Sequence, residues 1–243
     1  MDGGLGYLIL FGAGLLAGTL NVLAGGGSFL TLPMLILLGL PPGIANGTNR
    51  VGILLQNVGA IWSFNRDNVL DWRSARWGAL PATAGAALGT WLALWISDDG
   101  FQRILAFLMV VITLFSFWTP KPPAEGGTRR GMLAAGFFVV GIYGGFVQAG
   151  VGFLILAATT FAGLDLVRGN AVKVLSVFCF TSLSLAIFAS QGRVDWTLGL
   201  VLAAGTVLGG VLGARLTVLR GHRWLRAFVT VVVVLFAVKL WFG

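Results

Sequence analysis

Eight apolar runs dominate the chain: residues 5–24, 51–64, 77–96, 101–118, 131–162, 174–190, 196–214 and 224–242. Most approach the roughly 20 residues that an α-helix needs to cross a bilayer. Inside hydrocarbon a spanning segment must satisfy its own backbone hydrogen bonds, so runs of this length imply helices. Of the 243 residues 57% are hydrophobic and only 10% charged, with mean hydropathy +0.93. A soluble domain carries about 25% charged residues. The fold class expected is all-α: a polytopic integral membrane protein whose short connections leave no room for a soluble domain. The opening residues, MDGGLGY, contain no basic region, so a cleaved signal peptide is not expected.

The same composition excludes several functions. A single cysteine, Cys179, rules out an internal disulfide and argues against a thiolate metal site; it reads as a small packing residue. The one histidine, His222, sits in the basic stretch RGHRW and supports neither a metal site nor an acid–base pair. No cofactor is expected. The net charge of +8 lies mostly in loops beside helices, where it sets topology or meets anionic lipid. The partners expected are a small solute, membrane lipid and, at most, a second copy of the chain in a homodimer; nucleic acid is excluded.

The chain also repeats itself. FGAGLLAGTLN from Phe11 matches FVVGIYGGFVQ from Phe138, which lays Gly14, Gly18, Asn21 and Gly25 on Gly141, Gly145, Gln148 and Gly152. After a loss of three residues the match resumes, with Gly39, Leu40 and Asn46 on Gly163, Leu164 and Asn170. Asp71–Trp72 falls on Asp195–Trp196, and Gly85 and Gly89 on Gly209 and Gly213. Two repeats are expected, 1–120 and 131–243, joined by a linker at 121–130 within PKPPAEGGTRR. Arginine and lysine gather at 65–76, in the linker and at 215–226, while the opposite loops are poor in them. Cytoplasmic loops accumulate positive charge, so all three regions are expected inside. That requires an odd number of crossings per half, hence inverted repeats with a segment that enters the membrane and returns.

The triplet Gly25–Gly26–Gly27, followed by Ser28 as a new N-cap and by Pro33, reads as a broken helix; Gly150–Val151–Gly152 reads as its counterpart. Broken helices at membrane depth line cavities, and in inverted-repeat transporters they form the substrate site near the midplane. By contrast, GAALG at Gly85 and GGVLG at Gly209 read as small-residue packing seams.

Two turns at matching places, GLPPGIANGTNR and GLDLVRGNAVK, each precede an apolar helix. Thr48 or Asn49 is expected to cap the first helix and Asn170 the second. A helix N-terminus attracts anions through its free N–H groups and its dipole. Arg50 and Lys173 add one cation per repeat, and Asn21 and Gln148 add neutral donors. Snorkelling to the interface would also explain the two cations; their pairing within amide-rich turns favours a site. All eight acids, Asp2, Asp67, Asp71, Asp98, Asp99, Glu125, Asp165 and Asp195, lie in loops or at helix ends. Proton-driven transporters commonly carry an intramembrane carboxylate, and a cation substrate would need one. The inventory suits an anion.

The stretch AGTLNVLAGGGSFLTLPMLILLGLPPGIANGTN resembles the N-terminal signature of the TauE/SafE family of sulfite exporter-like permeases. The second copy, from GIYGGFVQAGVGFLIL to GLDLVRGNAVK, resembles that family's second repeat, with Gly-Val-Gly for a triplet and no proline. The resemblance implies export of small sulfur-containing anions such as sulfite or organosulfonates (sulfoacetate-like) across the cytoplasmic membrane. The alternative is an anion channel, or a transporter of another small organic anion. An enzyme is not expected. The expected substrate site comprises Asn21, Gly26, Gly27, Ser28, Thr48, Asn49, Arg50, Gln148, Asn170 and Lys173.

Overall fold

A computed structural model of the chain describes residues 3–24, 26–66, 72–117 and 128–217. The repeated Asp71, most of the linker, His222 and the last apolar run lie outside the described residues. Nine helices make up the described part: α1 (Gly3–Ala24), α2 (Ser28–Leu37), α3 (Pro42–Arg66), α4 (Trp72–Trp95), α5 (Asp98–Ser116), α6 (Arg130–Phe146), α7 (Val151–Phe161), α8 (Leu166–Ser190) and α9 (Trp196–Thr217). No strand occurs among the described residues. α1, α5 and α8 are long and apolar enough to cross a membrane. The chain is therefore an all-α membrane protein.

Two helices are half-length. α2 has 10 residues and α7 has 11, about 15–17 Å at 1.5 Å per residue, against about 30 Å of hydrocarbon. Both end in the same closure. Leu40 N–H reaches Leu35 O and Leu164 N–H reaches Thr159 O, wrapping a left-handed glycine, Gly39 (φ 98°) or Gly163 (φ 83°). This tight stop returns the chain at once into α3 or α8.

The long helices exchange partners. α1 lies along α9, and α6 lies along α4; α3 packs on α9 as α8 packs on α4, and α3 meets α8. The seams are built from glycine. A Cβ on Gly85 would stand 2.1 Å from Phe138 O, one on Gly89 1.9 Å from Ile142 O, and one on Gly209 2.0 Å from Leu15 O. Only hydrogen fits there, as the small-residue reading of these motifs requires. The two seams also resemble each other. Gly85 meets Phe138 where Gly209 meets Leu15, and Gly141 meets Ala82 O where Gly18 meets Thr206 O. The contacts set Leu15 beside α9 as Phe138 sits beside α4, one helical turn from the sequence match of Phe11 with Phe138, because glycines four apart on one face produce the same pattern at either setting.

Outside, large apolar side chains face away from the bundle, among them Leu8, Leu80, Leu92, Phe107 and Val139. On α4 the tryptophans mark both ends, Trp72 and Trp77 at the start and Trp91 and Trp95 at the finish. Tryptophan collects at both faces of a bilayer.

Candidate functional site

Polar side chains inside such a bundle must find partners, and their positions define the site. The starts of α2 and α7 meet in the interior, where Phe29 and Phe153 stack with centroids 6.3 Å apart. Ser28 crosses between them. Its hydroxyl accepts from Gly150 N–H (3.1 Å) and donates to Gln148 O (3.2 Å). Ser28 is the first residue of α2 and makes no cap there; Gly27 holds the N-cap position. The expected cap is corrected, because the hydroxyl ties down the opposite break instead.

A cavity opens beside these two helix starts. It offers about 40 Å³ to the centres of water-sized molecules, where one water needs roughly 10–15 Å³. That is room for a small solute. Of the predicted residues, Asn21, Gly27, Ser28, Asn49, Gln148 and Lys173 line it; Gly26, Thr48, Arg50 and Asn170 do not. Four further polar residues, Thr31, Gln56, Asn57 and Thr206, share the wall. Sequence reasoning missed these. The signal was present in α3, where Asn49, Gln56 and Asn57 are spaced seven and eight apart and so share a helical face.

Among the described residues, Lys173 is the one ionisable side chain on the wall. No acid and no hydrogen-bond acceptor contacts its ammonium among the described residues. Asn49 is 1% exposed, and both its amide nitrogen and its amide oxygen lack a partner. Burying an amide without hydrogen bonds is unfavourable by roughly 1–3 kcal/mol. An unpaired cation and an unpaired amide on one small cavity call for a ligand with charge and acceptors. Thr31 Oγ1 on the same wall also lacks a partner, while the neighbouring amides are already engaged. Asn21 Nδ2 donates to Gln56 Oε1 (3.1 Å), Gln56 Nε2 to Gly18 O (3.2 Å), and Asn57 Nδ2 to Ile53 O (2.7 Å).

Arg50 takes a different place. It is fully buried, and its guanidinium is turned to the end of α6. Nη1 donates to Gly144 O (3.1 Å) and Gln148 Oε1 (2.9 Å); Nη2 donates to Gly145 O (2.6 Å) and lies 3.5 Å from Asn46 Oδ1. Phe188 covers the guanidinium at 4.9 Å. Helix C-termini present unpaired carbonyls and partial negative charge, and α6 finds its cation here. Asn46 Nδ2 joins by donating to Phe146 O (2.7 Å), and Thr90 by donating to Gly145 O (3.2 Å).

The residue thus fixed is Gln148. It has φ 62°, the one non-glycine with positive φ among the described residues, a conformation unfavourable for a side chain bearing Cβ. Arg50 holds its amide oxygen, and its Nε2 donates to Thr181 Oγ1 at 2.5 Å. Gln148 in turn faces the cavity, one layer in front of Arg50.

The expected caps on α3 and α8 are corrected as well. α3 begins at Pro42 and α8 at Leu166, so Thr48, Asn49 and Asn170 lie inside helices. Proline suits the first helical position. The free N–H groups at these starts go to aspartates: Gly43 N–H to Asp98 Oδ1 and Arg168 N–H to Asp165 Oδ1, both 2.9 Å. Thr48 Oγ1 accepts from Asp195 N–H (2.9 Å), fastening α3 to the start of α9. Asp195 itself caps α9 through Leu198 N–H (2.9 Å). Every described acid, Asp98, Asp99, Asp165 and Asp195, sits at a helix start.

Known proteins place this architecture. Residues 10–240 match the family model described as Sulfite exporter TauE/SafE. A probable membrane transporter protein of Haemophilus influenzae is 32% identical over 248 residues, covering 99% of this chain and 96% of that one. The probable membrane transporter protein YfcA of Escherichia coli K12 is 29% identical, over 96% of this chain and 88% of YfcA. ORF9 of a Sinorhizobium species, also a probable membrane transporter protein, is 28% identical, over 95% and 90%. No solved structure matches. A match along nearly the whole chain, with relatives of similar length, settles the affiliation: the chain belongs to the Sulfite exporter TauE/SafE family.

Proposed function

We propose that this membrane transporter exports small sulfur-containing anions, sulfite or short organosulfonates, through the cavity between the starts of α2 and α7. The observation that carries the reading is the pairing of Lys173 with the unpartnered Asn49 amide on a wall that, among the described residues, holds no acid. The starts of α2 and α7 add positive dipole ends, as at the midplane sites of broken-helix transporters. The family description and the relatives' names as membrane transporters support transport and a non-enzymatic role. Gln148 then acts as a neutral donor or spacer beside the anion, and Arg50 positions it from behind.

The reciprocal packing of α1 on α9 and α6 on α4 supports a two-repeat organisation, 1–120 and 131–243, with the halves inverted in the cytoplasmic membrane. Alternating access would move one half against the other around the cavity. Orientation has its own test. Cysteines placed at 65–76, 121–130 and 215–226 in a Cys179→Ala background should resist an impermeant thiol reagent in intact cells. Labelling at 215–226 with the linker protected would end the inverted arrangement.

Isothermal titration of the purified protein with sulfite, methanesulfonate, sulfoacetate, taurine and sulfate tests the substrate class. Saturable binding of the first two that is lost in Lys173→Met supports it. Binding unaffected by Lys173→Met would refute the site. Flux into proteoliposomes that rises linearly with substrate, without saturation, would favour a channel.

A further inference from the structure

The cavity raises a question of charge that its shape does not. Lys173 faces it without a counter-ion, and a bare charge in the middle of a bilayer is unfavourable by several kcal/mol. Occupied by a monoanion, the lysine ammonium makes a neutral pair. Emptied, the same site is neutral only if the lysine sheds its proton.

No other group on the wall can do this, since the remaining polar lining is amide and hydroxyl. Among the helices packed on α8, α3 brings Arg50, fixed on the α6 carbonyls, and Arg66 at its far end. α4 brings Arg73 and the exposed Arg76 near its start. α6 brings the exposed Arg130, and Tyr143, whose hydroxyl donates to Ala149 O. α7 carries no ionisable side chain. On α8 itself, Arg168 pairs with Asp165 at 3.4 Å on the surface and Cys179 is half-buried. None of these is an acid that could balance Lys173 when the anion leaves. The two interior cations also differ in kind. A guanidinium stays protonated throughout, while a lysine amine exchanges its proton readily.

Resting on the anion-site reading above, we infer that Lys173 is the proton-coupling group of the cycle. The amine of the empty site takes one proton from the loading side as one monoanion binds. The neutral ammonium–anion pair reorients, both are released opposite, and the empty site returns as the free amine. Each turn moves one H⁺ and one X⁻ together and no net charge. The direction follows from the product of proton and anion activities, so export requires the outward anion gradient to exceed the inward proton gradient. This coupling needs no intramembrane carboxylate, the group usually sought for proton transport.

The probe is methanesulfonate, a monoanion over the whole range used. Titration calorimetry of the detergent-purified wild type in buffers of different ionisation enthalpy, from pH 6 to 9.5, counts protons taken up per anion. The count should rise with pH toward one, and affinity should fall by up to tenfold per pH unit over the same interval. Binding with no proton uptake at any pH overturns the inference and leaves the anion site standing. No binding of methanesulfonate overturns the inference, and no binding of sulfite as well overturns the site reading beneath it. In proteoliposomes, Lys173→Arg supplies a permanent cation, so anion exchange should outlast net flux and the ratio of exchange to net flux should rise more than tenfold. An unchanged ratio in a folded Lys173→Arg protein also overturns the coupling.

Discussion

α3 and α8 are each 25 residues long, start after a tight turn and cross the middle of the bundle. Their eighth residues, Asn49 and Lys173, both line the cavity. Their ninth residues diverge: Arg50 in α3 is wholly buried on the α6 carbonyls, while Val174 in α8 is apolar core. α3 and α8 therefore contribute one interior cation each, but one residue apart and for different ends. A step of one residue turns a helix by about 100°. That rotation moves a cation from the cavity to the frame behind it, so neighbouring positions on two similar helices need not share a role.

The largest effect expected from breaking this division is on stability. Arg50→Gln strands the carbonyl of Gly144, leaves that of Gly145 with Thr90 alone, and releases Gln148 from its left-handed backbone. It should lower the unfolding free energy by about 3 kcal/mol, read as a lower melting temperature in detergent, since hydrogen bonds to charged groups contribute about 1.5–3 kcal/mol. Arg50→Lys should recover part of it, keeping the charge but losing the planar fork. A melting temperature unchanged in Arg50→Gln would remove the frame role.

Next in size, Lys173→Met should weaken sulfonate binding about tenfold to a hundredfold with little change in melting temperature. The lost charge-assisted bond corresponds to about 1.5–3 kcal/mol, and 1.4 kcal/mol is a factor of ten. The contrast with Arg50 is the point. If Lys173→Met instead destabilised the protein and spared affinity, the two cations would have exchanged roles.

Asn49→Ala removes one neutral donor or acceptor and should reduce affinity by about fivefold, from about 1 kcal/mol. It should also leave stability unchanged or slightly higher, because the amide has no partner in the empty site. A clear loss of stability would mean that Asn49 is held by the fold and not kept for a ligand. Smallest of all, Asp195→Asn should change melting and flux hardly at all, since asparagine caps a helix about as well as aspartate. Abolished flux in a folded Asp195→Asn protein would instead point to an acid relay at the start of α9.

The breaks after α1 and α6 were legible in the sequence because glycine clusters inside apolar runs have few other uses. The seams at Gly85, Gly89 and Gly209 were legible for a similar reason. Asn49 and Lys173 were placed near the site by their turn-like surroundings, although those surroundings proved helical. What the pattern could not supply was rotation. Whether Arg50 faces the cavity or α6 depends on α3 beginning at Pro42 rather than after Asn49, and a polar, proline-led first turn hides that start. Gln56 and Asn57 lie seven and eight residues from Asn49, but reading Asn49 as a helix cap took away the helical phase that sets them beside it. The match of α1 to α6 differs by one turn from the seam contacts because glycines every four residues look the same one turn apart.

The exchanged pairing of α1 with α9 has a consequence for how the protein is made. Thr19 donates to Gly209 O across 190 residues of chain. At about 5–20 residues per second of synthesis, roughly 10–40 s separate the emergence of the two. During that interval α1 stands in the bilayer with its close-packing face uncovered, and α6 can already dock on α4. Biogenesis thus has an order, in which the α4–α6 seam can close before α9 is made and the α1–α9 seam closes only after it. A chain truncated before α9 would present the surface of α1 to the membrane's quality-control proteases, whatever the state of its cavity.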